Sequence, residues 1–161
     1  MTSERGSVLA ICVSQGGVPK LPVNEVMVRA TGLEGDKQRD LRHHGGPDRA
    51  VCLFSAERMM ALRAEGHSIH PGVLGENLMV SGLDWDTVVP GAVLRCGEVV
   101  LQITSYASPC KTIREFFADQ DSNRISQKLH PGWSRLYARV LQEGVIAAGF
   151  AVTVEPSERM A

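Results

Sequence analysis

Val88-Val89-Pro90-Gly91-Ala92-Val93-Leu94-Arg95-Cys96-Gly97-Glu98-Val99-Val100-Leu101-Gln102-Ile103-Thr104 reads as two strands folded about a turn at Gly97-Glu98. Leu101 and Ile103 alternate with polar neighbours, as on a strand with one buried face. The same signal recurs outward from this hairpin. Val8–Val13 and Val23–Val28 read as strands separated by the turn Gln15-Gly16-Gly17-Val18-Pro19. Arg49–Phe54 reads as a buried strand, and Gly75-Glu76-Asn77 is a turn leading into the strand Leu78-Met79-Val80. Leu136–Gln142 and Phe150–Glu155 close the chain as strands around Glu143-Gly144. Helical signals are few. Ser55 is a good N-cap for a helix from Ala56 to about Glu65, ended by Gly66, with Met59, Met60 and Leu62 as its core face. A second helical stretch covers Thr112–Ala118. Many short strands and few helices predict a mainly β fold, a closed or nearly closed β-barrel, because closure removes exposed strand edges.

The 161 residues suit one domain over residues 1–161. With 43% hydrophobic and 22% charged residues the chain has the material for a core and a charged surface. A formal net charge of -1 provides no global field toward nucleic acid or an acidic membrane. The apolar runs are strand-length, and none at the N-terminus resembles a signal peptide, so the expected location is the cytoplasm. Four cysteines, Cys12, Cys52, Cys96 and Cys110, form no CxxC pair and match no zinc template. The first three have apolar neighbours and read as small buried hydrophobes.

Cys110 differs. It lies in Tyr106-Ala107-Ser108-Pro109-Cys110-Lys111, after small and polar residues and before the second helical stretch. A thiol at a helix start faces unpaired N–H groups, and Lys111 adds a cation. Both favour thiolate, the form that acts as nucleophile and metal ligand.

Three further segments carry candidates. Gly32–Asp48 is a long polar stretch with four glycines, and a loop of that length in a compact domain is usually functional or disordered. Its Gly45-Gly46 pair allows backbone N–H groups to approach a ligand, and Lys37, Arg39, Arg42 and Arg49 suit an anion. His43 and His44 suit proton transfer or donation. A solvated loop with turn glycines and surface ion pairs is the alternative, and Asp48 beside Arg49 fits that too. Gly75-Glu76-Asn77 either orders a turn or meets a ligand. The polar span with Arg124, Lys128, His130 and Arg135 either closes over a site or is a solvated surface loop. Trp85 and Trp133 read as packing residues.

In order, the pieces Pro19-Lys20, Gly32-Leu33-Glu34-Gly35-Asp36, His44-Gly45-Gly46-Pro47-Asp48-Arg49-Ala50-Val51, Gly75-Glu76-Asn77-Leu78, Ser108-Pro109-Cys110 and Gly132-Trp133-Ser134-Arg135 resemble MOSC domains. Within them the chain is similar to the small stand-alone bacterial type that includes 6-hydroxyaminopurine reductases. The resemblance implies a barrel of the kind seen in the pyruvate kinase barrel domain, and a molybdenum cofactor, a pterin dithiolene with a phosphate tail. It implies that Cys110 ligates molybdenum, which a soft thiolate suits. It further implies that Lys20, Lys37, Arg42, His44, Gly45, Gly46, Asp48 and Arg49 hold the cofactor and that Asn77 shapes the pocket. One departure is Ala148-Gly149-Phe150, where many relatives carry Gly-Asp. That bears on the stability of a late turn.

The function so implied is a molybdenum-dependent oxidoreductase that reduces N-hydroxylated bases or related small-molecule substrates, a detoxifying reaction. Its electrons would come from a redox partner protein, because the chain has no flavin or nicotinamide signature and its cysteines cannot build an iron–sulfur cluster. A homodimer is open, and pyridoxal phosphate is not implied for a chain of this length. Two other classes compete: a sulfur carrier with a Cys110 persulfide, and a cofactor-binding module without catalysis.

Overall fold

The computed structural model describes residues 4–16, 18–37 and 46–155; Arg42, His44 and Gly45 lie outside them. Among these residues the architecture is mainly β, with a seven-stranded ring closed on itself. Strand β1 (Glu4–Val13) lies between β6 (Leu78–Ser81) on one edge and β11 (Ala151–Glu155) on the other. From β6 the ring runs through β5 (Val51–Ser55), β9 (Arg135–Gln142), β8 (Val99–Ala107) and β7 (Val93–Cys96) back to β11. β2 (Leu21–Val23) extends the sheet beside the far end of β1. The expected strand Val23–Val28 breaks at Asn24, and its second part, β3 (Glu25–Arg29), joins β4 (Gly32–Leu33) and β10 (Gly144–Ala147) in a separate three-stranded sheet.

All ring pairings are antiparallel except β5–β6. A parallel pair needs a long crossover. Here helix α1 (Ala56–Ala64) and residues 65–77 supply it. The Ser55 hydroxyl accepts the Arg58 N–H at the N-terminus of α1, as expected of an N-cap. Met59 and Leu62 face the core, but Met60 is 55% exposed, a correction to the expected core face. At helical spacing Met60 lies one step around from Met59, on the solvent side.

Ile11, Leu53, Leu78, Leu101, Ile103 and Leu136 are almost fully buried in the main core. Each such side chain contributes about 1.5–3 kcal/mol. β5 is buried on both faces, as strands beside a parallel neighbour commonly are.

The register fixes what lies on the other face. Cys52 stands opposite Tyr137, and Ala107 opposite Arg135. Leu136 and Ala138 belong to the main core, so by alternation Arg135 and Tyr137 point to the opposite side of β9. Cys52, Ala107 and Tyr137 form a second small cluster there.

Two helical expectations change. Thr112–Ala118 is not an α-helix: Lys111–Phe116 is a short 3-10 helix, bonded from Phe117 N–H to Arg114 C=O at 3.0 Å. So short a segment with two aromatic residues at its end does not propagate an α-helix. Asp119–Ser134 is likewise not an open polar loop, since Ser122–Ile125 is a 3-10 helix with Ile125 fully buried. The late turn at Gly149 forms, with its N–H on the Val8 carbonyl at 2.8 Å. Among the described residues no helix is long and apolar enough to cross a membrane.

Candidate functional site

β8 ends at Ala107, and the chain leaves the ring through Ser108 and Pro109 to Cys110. Cys110 is the N-cap residue of the Lys111–Phe116 turn, and its side chain makes no capping bond to that turn. Its Sγ lies 2.9 Å from the Thr112 hydroxyl, and the Ser122 hydroxyl donates to its carbonyl at 3.4 Å. The short 3-10 turn reduces the dipole argument made for this thiol, because only a few peptide units align. What remains is access. Cys110 is half-buried, while Cys12, Cys52 and Cys96 are buried. Burial pushes each of those three thiols up to about 11, so they stay protonated at neutral pH.

Beside the cysteine turn lies the face carrying Cys52 and Tyr137. Arg49 stacks over the Tyr137 ring, 5.6 Å from its centroid. Burial pushes the Tyr137 phenol up, with Cys52 and Cys110 acting in the same direction. Arg135 and Arg49 oppose them. These groups therefore share one electrostatic neighbourhood, and it includes Cys110.

Behind that face is a buried polar network. The Lys20 ammonium sits 2.7 Å from Asp36, with side chains 5% and 3% exposed. Asp36 also accepts the Ser14 N–H at 2.8 Å and the Asn77 amide at 2.9 Å. Asn77 donates to the Cys12 carbonyl at 3.2 Å and accepts the Cys52 N–H at 3.0 Å. One amide thus ties β1 to β5 where they do not pair directly. The Lys20 N–H donates to the Gly72 carbonyl at 2.8 Å. Gly72 has a positive φ of 92°, and a Cβ there would collide with the Lys20 carbonyl oxygen, so only glycine fits.

The Gly72 N–H donates at 2.9 Å to Glu76, whose carboxyl is buried. Its other oxygen, Oε1, meets no hydrogen-bond partner among the described residues. Arg135, 2% exposed, donates from Nη1 to the Leu74 carbonyl at 2.7 Å and from Nη2 to the Ser108 carbonyl at 2.9 Å. Its Nε has no partner.

The structure sorts the expected site residues into three groups. Cys110, Arg49 and, through Arg135, the 108–110 turn come together beside Tyr137. Lys20 and Asn77 also come together, with Lys20 bonded to Asp36 and Asn77 to backbone groups and Asp36. Lys37 is exposed and anchored by its N–H on the Ser14 carbonyl at 2.6 Å. Gly46, with φ 81°, opens the 3-10 turn Pro47–Arg49. The Asp48 side chain is 70% exposed and lies 3.4 Å from Arg139. Arg42, His44 and Gly45 lie outside the described residues. Arg124 does not close over a site. It stacks 3.9 Å from the Trp133 ring, with Arg58 at 4.7 Å as a second cation on that ring. Its guanidinium also grips Glu65 at 2.7 and 2.9 Å. Arg135 is a buried strand residue rather than part of a surface span.

The sequence assigns no role to Asp36 or Tyr137, and Glu76 enters only as part of the turn Gly75-Glu76-Asn77. Asp36 and Glu76 stand inside the recognised motifs, and their acidity was legible; their burial was not. Tyr137 carried a signal in Arg135-Leu136-Tyr137-Ala138, where strand alternation puts Arg135 and Tyr137 on one side.

Glu76 gives a pH dependence. Burial pushes its carboxyl up to about 7, against opposing backbone N–H groups led by Gly72 and the charge of Arg135. The folded state therefore holds this proton more tightly than the unfolded chain. The Glu76 contribution to stability is full below the unfolded value of about 4.5 and is lost as pH rises through about 7. Glu76→Gln removes that loss. Denaturant unfolding of both proteins is expected to favour the Gln form progressively from pH 5 to pH 8, by on the order of 2–3 kcal/mol. A stability difference that stays constant across that range would contradict the assignment.

Comparison with known proteins agrees with this layout. Residues 40–153 match the model of the MOSC domain. The chain is 35% identical over 136 residues to the protein YflK of Bacillus subtilis, covering 83% of this chain and 60% of that one. It is 33% identical over 137 residues to the protein YiiM of Escherichia coli, covering 81% and 60%. The crystal structure of the latter superposes with a TM-score of 0.71 at 26% identity, covering 94% of this chain and 69% of that chain. A protein from Gibberella moniliformis named "Reductase" is 27% identical over 135 residues, which are 80% of this chain and 23% of that protein. The chain thus spans about 60% of the length of the two bacterial relatives. A closed mainly β ring, a half-buried cysteine at the end of one of its strands and this match over most of the length together show that the chain belongs to the MOSC domain family.

Proposed function

We propose that this MOSC protein binds the molybdenum cofactor through Cys110 and reduces N-hydroxylated bases or related N-oxygenated compounds. The observation that carries the reading is the placement of Cys110. It is half-buried where the three other thiols are buried and held protonated, and it follows Ser108, whose carbonyl Arg135 holds.

The donor set is consistent with such a group. No cluster of three or more His, Cys, Asp or Glu side chains among the described residues could hold a bare metal ion. A metal at Cys110 would therefore bring most of its own ligands, as a metal on a pterin dithiolene does, and a soft thiolate suits that centre. Lys37, Gly46 and Arg49 line the same loop and offer donors for an anionic tail. Arg135 Nε is a buried donor without a partner on that side of β9.

Bound there, the cofactor supplies a two-electron centre that accepts oxygen. Arg49 and Lys37 would orient anionic parts of the ligand, and Cys110 would hold it by its sulfur. Reduction of an N–OH group takes two electrons and two protons and yields an N–H group and water. The electrons would come from a partner protein. The distant relative named a reductase supports the reaction class.

The test is turnover. Protein loaded with molybdenum cofactor and given an artificial electron donor is expected to convert 6-hydroxyaminopurine to adenine. No conversion by protein shown to contain molybdenum would contradict the reductase reading. A Cys110 persulfide formed with a cysteine desulfurase in place of that activity would favour sulfur transfer.

A further inference from the structure

We propose that Arg135 is the positioning residue of the cysteine turn: it clamps Ser108 to Leu74 and thereby presents Cys110 in one geometry. This rests on the reading of Cys110 as the functional sulfur. Arg135 begins β9 and stands opposite Ala107, the last residue of β8. From there its two Nη groups reach two segments distant in sequence. One takes the Leu74 carbonyl, inside the Gly72–Asn77 turn, and the other takes the Ser108 carbonyl, two residues before Cys110. Two residues of chain span at most about 7 Å, so the clamp acts at the foot of the cysteine.

The choice of residue needs explaining. A buried guanidinium is costly unless it is paired. Lys20, buried nearby, has Asp36 within 2.7 Å. Arg135 has no carboxylate within ion-pair distance among the described residues, and its Nε is unbonded. Glu76 lies close enough to feel its charge, yet Oε1 of Glu76 is unbonded as well. The fold thus keeps a buried guanidinium here that is held by two carbonyls and not by a direct ion pair among the described residues. The planar fork of arginine explains it, because two separate Nη groups reach two carbonyls on different segments, whereas an ammonium presents all its donors from one nitrogen.

The bonds continue beyond the clamp. Lys20, held by Asp36, donates its N–H to Gly72, Gly72 donates to Glu76, and Leu74 in the same turn accepts from Arg135. The Gly72–Asn77 turn and the Ser108–Cys110 turn therefore form one assembly through this side chain.

Hydrogen exchange on the cofactor-free protein tests the clamp directly, with Arg135→Gln and Arg135→Lys. Amides of residues 110–113 are expected to exchange about tenfold faster in the Gln form. The Lys form is expected to lie between it and wild type, while the centres of β8 and β9 stay protected. X-ray absorption of molybdenum-loaded protein gives the second readout. The count of sulfur neighbours per molybdenum is expected to fall by one in Arg135→Gln and to be partly restored in Arg135→Lys. Unchanged exchange at 110–113, or a full sulfur count in a folded Gln form, overturns the proposal. If the Gln form does not fold, the Lys form decides, since donors from a single nitrogen do not reproduce the spacing of the two Nη groups and exchange must still rise. Molybdenum missing from wild type overturns the cofactor reading alone, and the exchange data still decide the clamp.

Discussion

Lys20→Met is expected to lower the stability of this protein by about 3–5 kcal/mol. For a chain of this size that is a fall of roughly 10 °C in melting temperature. The reason is the burial of both partners. Lys20 and Asp36 are 5% and 3% exposed and lie 2.7 Å apart. Removing the ammonium leaves a buried carboxylate without its charged partner, while the Ser14 and Asn77 N–H groups that also bond it are neutral donors. The Lys20 backbone also carries the bond to Gly72, so disorder at residue 20 reaches the Gly72–Asn77 turn. A double variant, Lys20→Met with Asp36→Asn, is expected to cost less than the sum of the two single changes, by about 0.5–3 kcal/mol. Thermal and denaturant unfolding of the four proteins measure this. A Lys20→Met form as stable as wild type would return Lys20 to the role the family resemblance implies, holding the cofactor.

That residue illustrates what was legible in the sequence. Pro19-Lys20 and Gly32-Leu33-Glu34-Gly35-Asp36 are both recognisable segments, but a sequence gives a charge and not its direction. The pairing of Lys20 with Asp36 depends on how β1, β2 and the chain after β4 converge. The hairpin at 93–107 was legible because Leu101 and Ile103 alternate and Gly97 can turn. Closure of the ring was legible only as a general consequence of many short strands. The pairing that closes it, Glu4–Ser7 of β1 against Ala151–Val154 of β11, joins the two ends of the chain, and no local pattern encodes such a contact. The apolar neighbours of Cys12, Cys52 and Cys96 were enough to place them inside. The small and polar residues before Cys110 were enough to set it apart. Its helix was not foreseen correctly, because a window from Thr112 to Ala118 looks alike for an α-helix and for a 3-10 turn.

Arg135 was read with the polar span before it, since Arg124, Lys128 and His130 share its charge. What separates it is position. It is the first residue of a strand whose next members alternate between the core and the Cys52 face. Arg124 was placed in the same group for the same reason, and the structure gives it a different task, fastening Trp133 to the end of α1 through Glu65. The resemblance to the family supplied the cofactor. The geometry supplied the stacking of Arg49 on Tyr137 and the bond from Arg135 to Ser108 before the cysteine, which no motif names.

Cys110→Ala carries the largest functional effect expected here. The three other thiols are buried and stay protonated at neutral pH, so none can replace the lost sulfur. The Cys110 side chain is half-buried and meets the Thr112 hydroxyl, so its removal is expected to change stability by less than about 1.5 kcal/mol. Function and folding should therefore separate in this variant. The direct measurement is metal analysis of freshly isolated wild type and Cys110→Ala, both produced in cells that make molybdenum cofactor. Close to one molybdenum per wild-type chain is expected, with at least a tenfold loss in the folded variant, consistent with removal of the protein's own metal ligand. Equal molybdenum in the two proteins, or none in wild type, would contradict it.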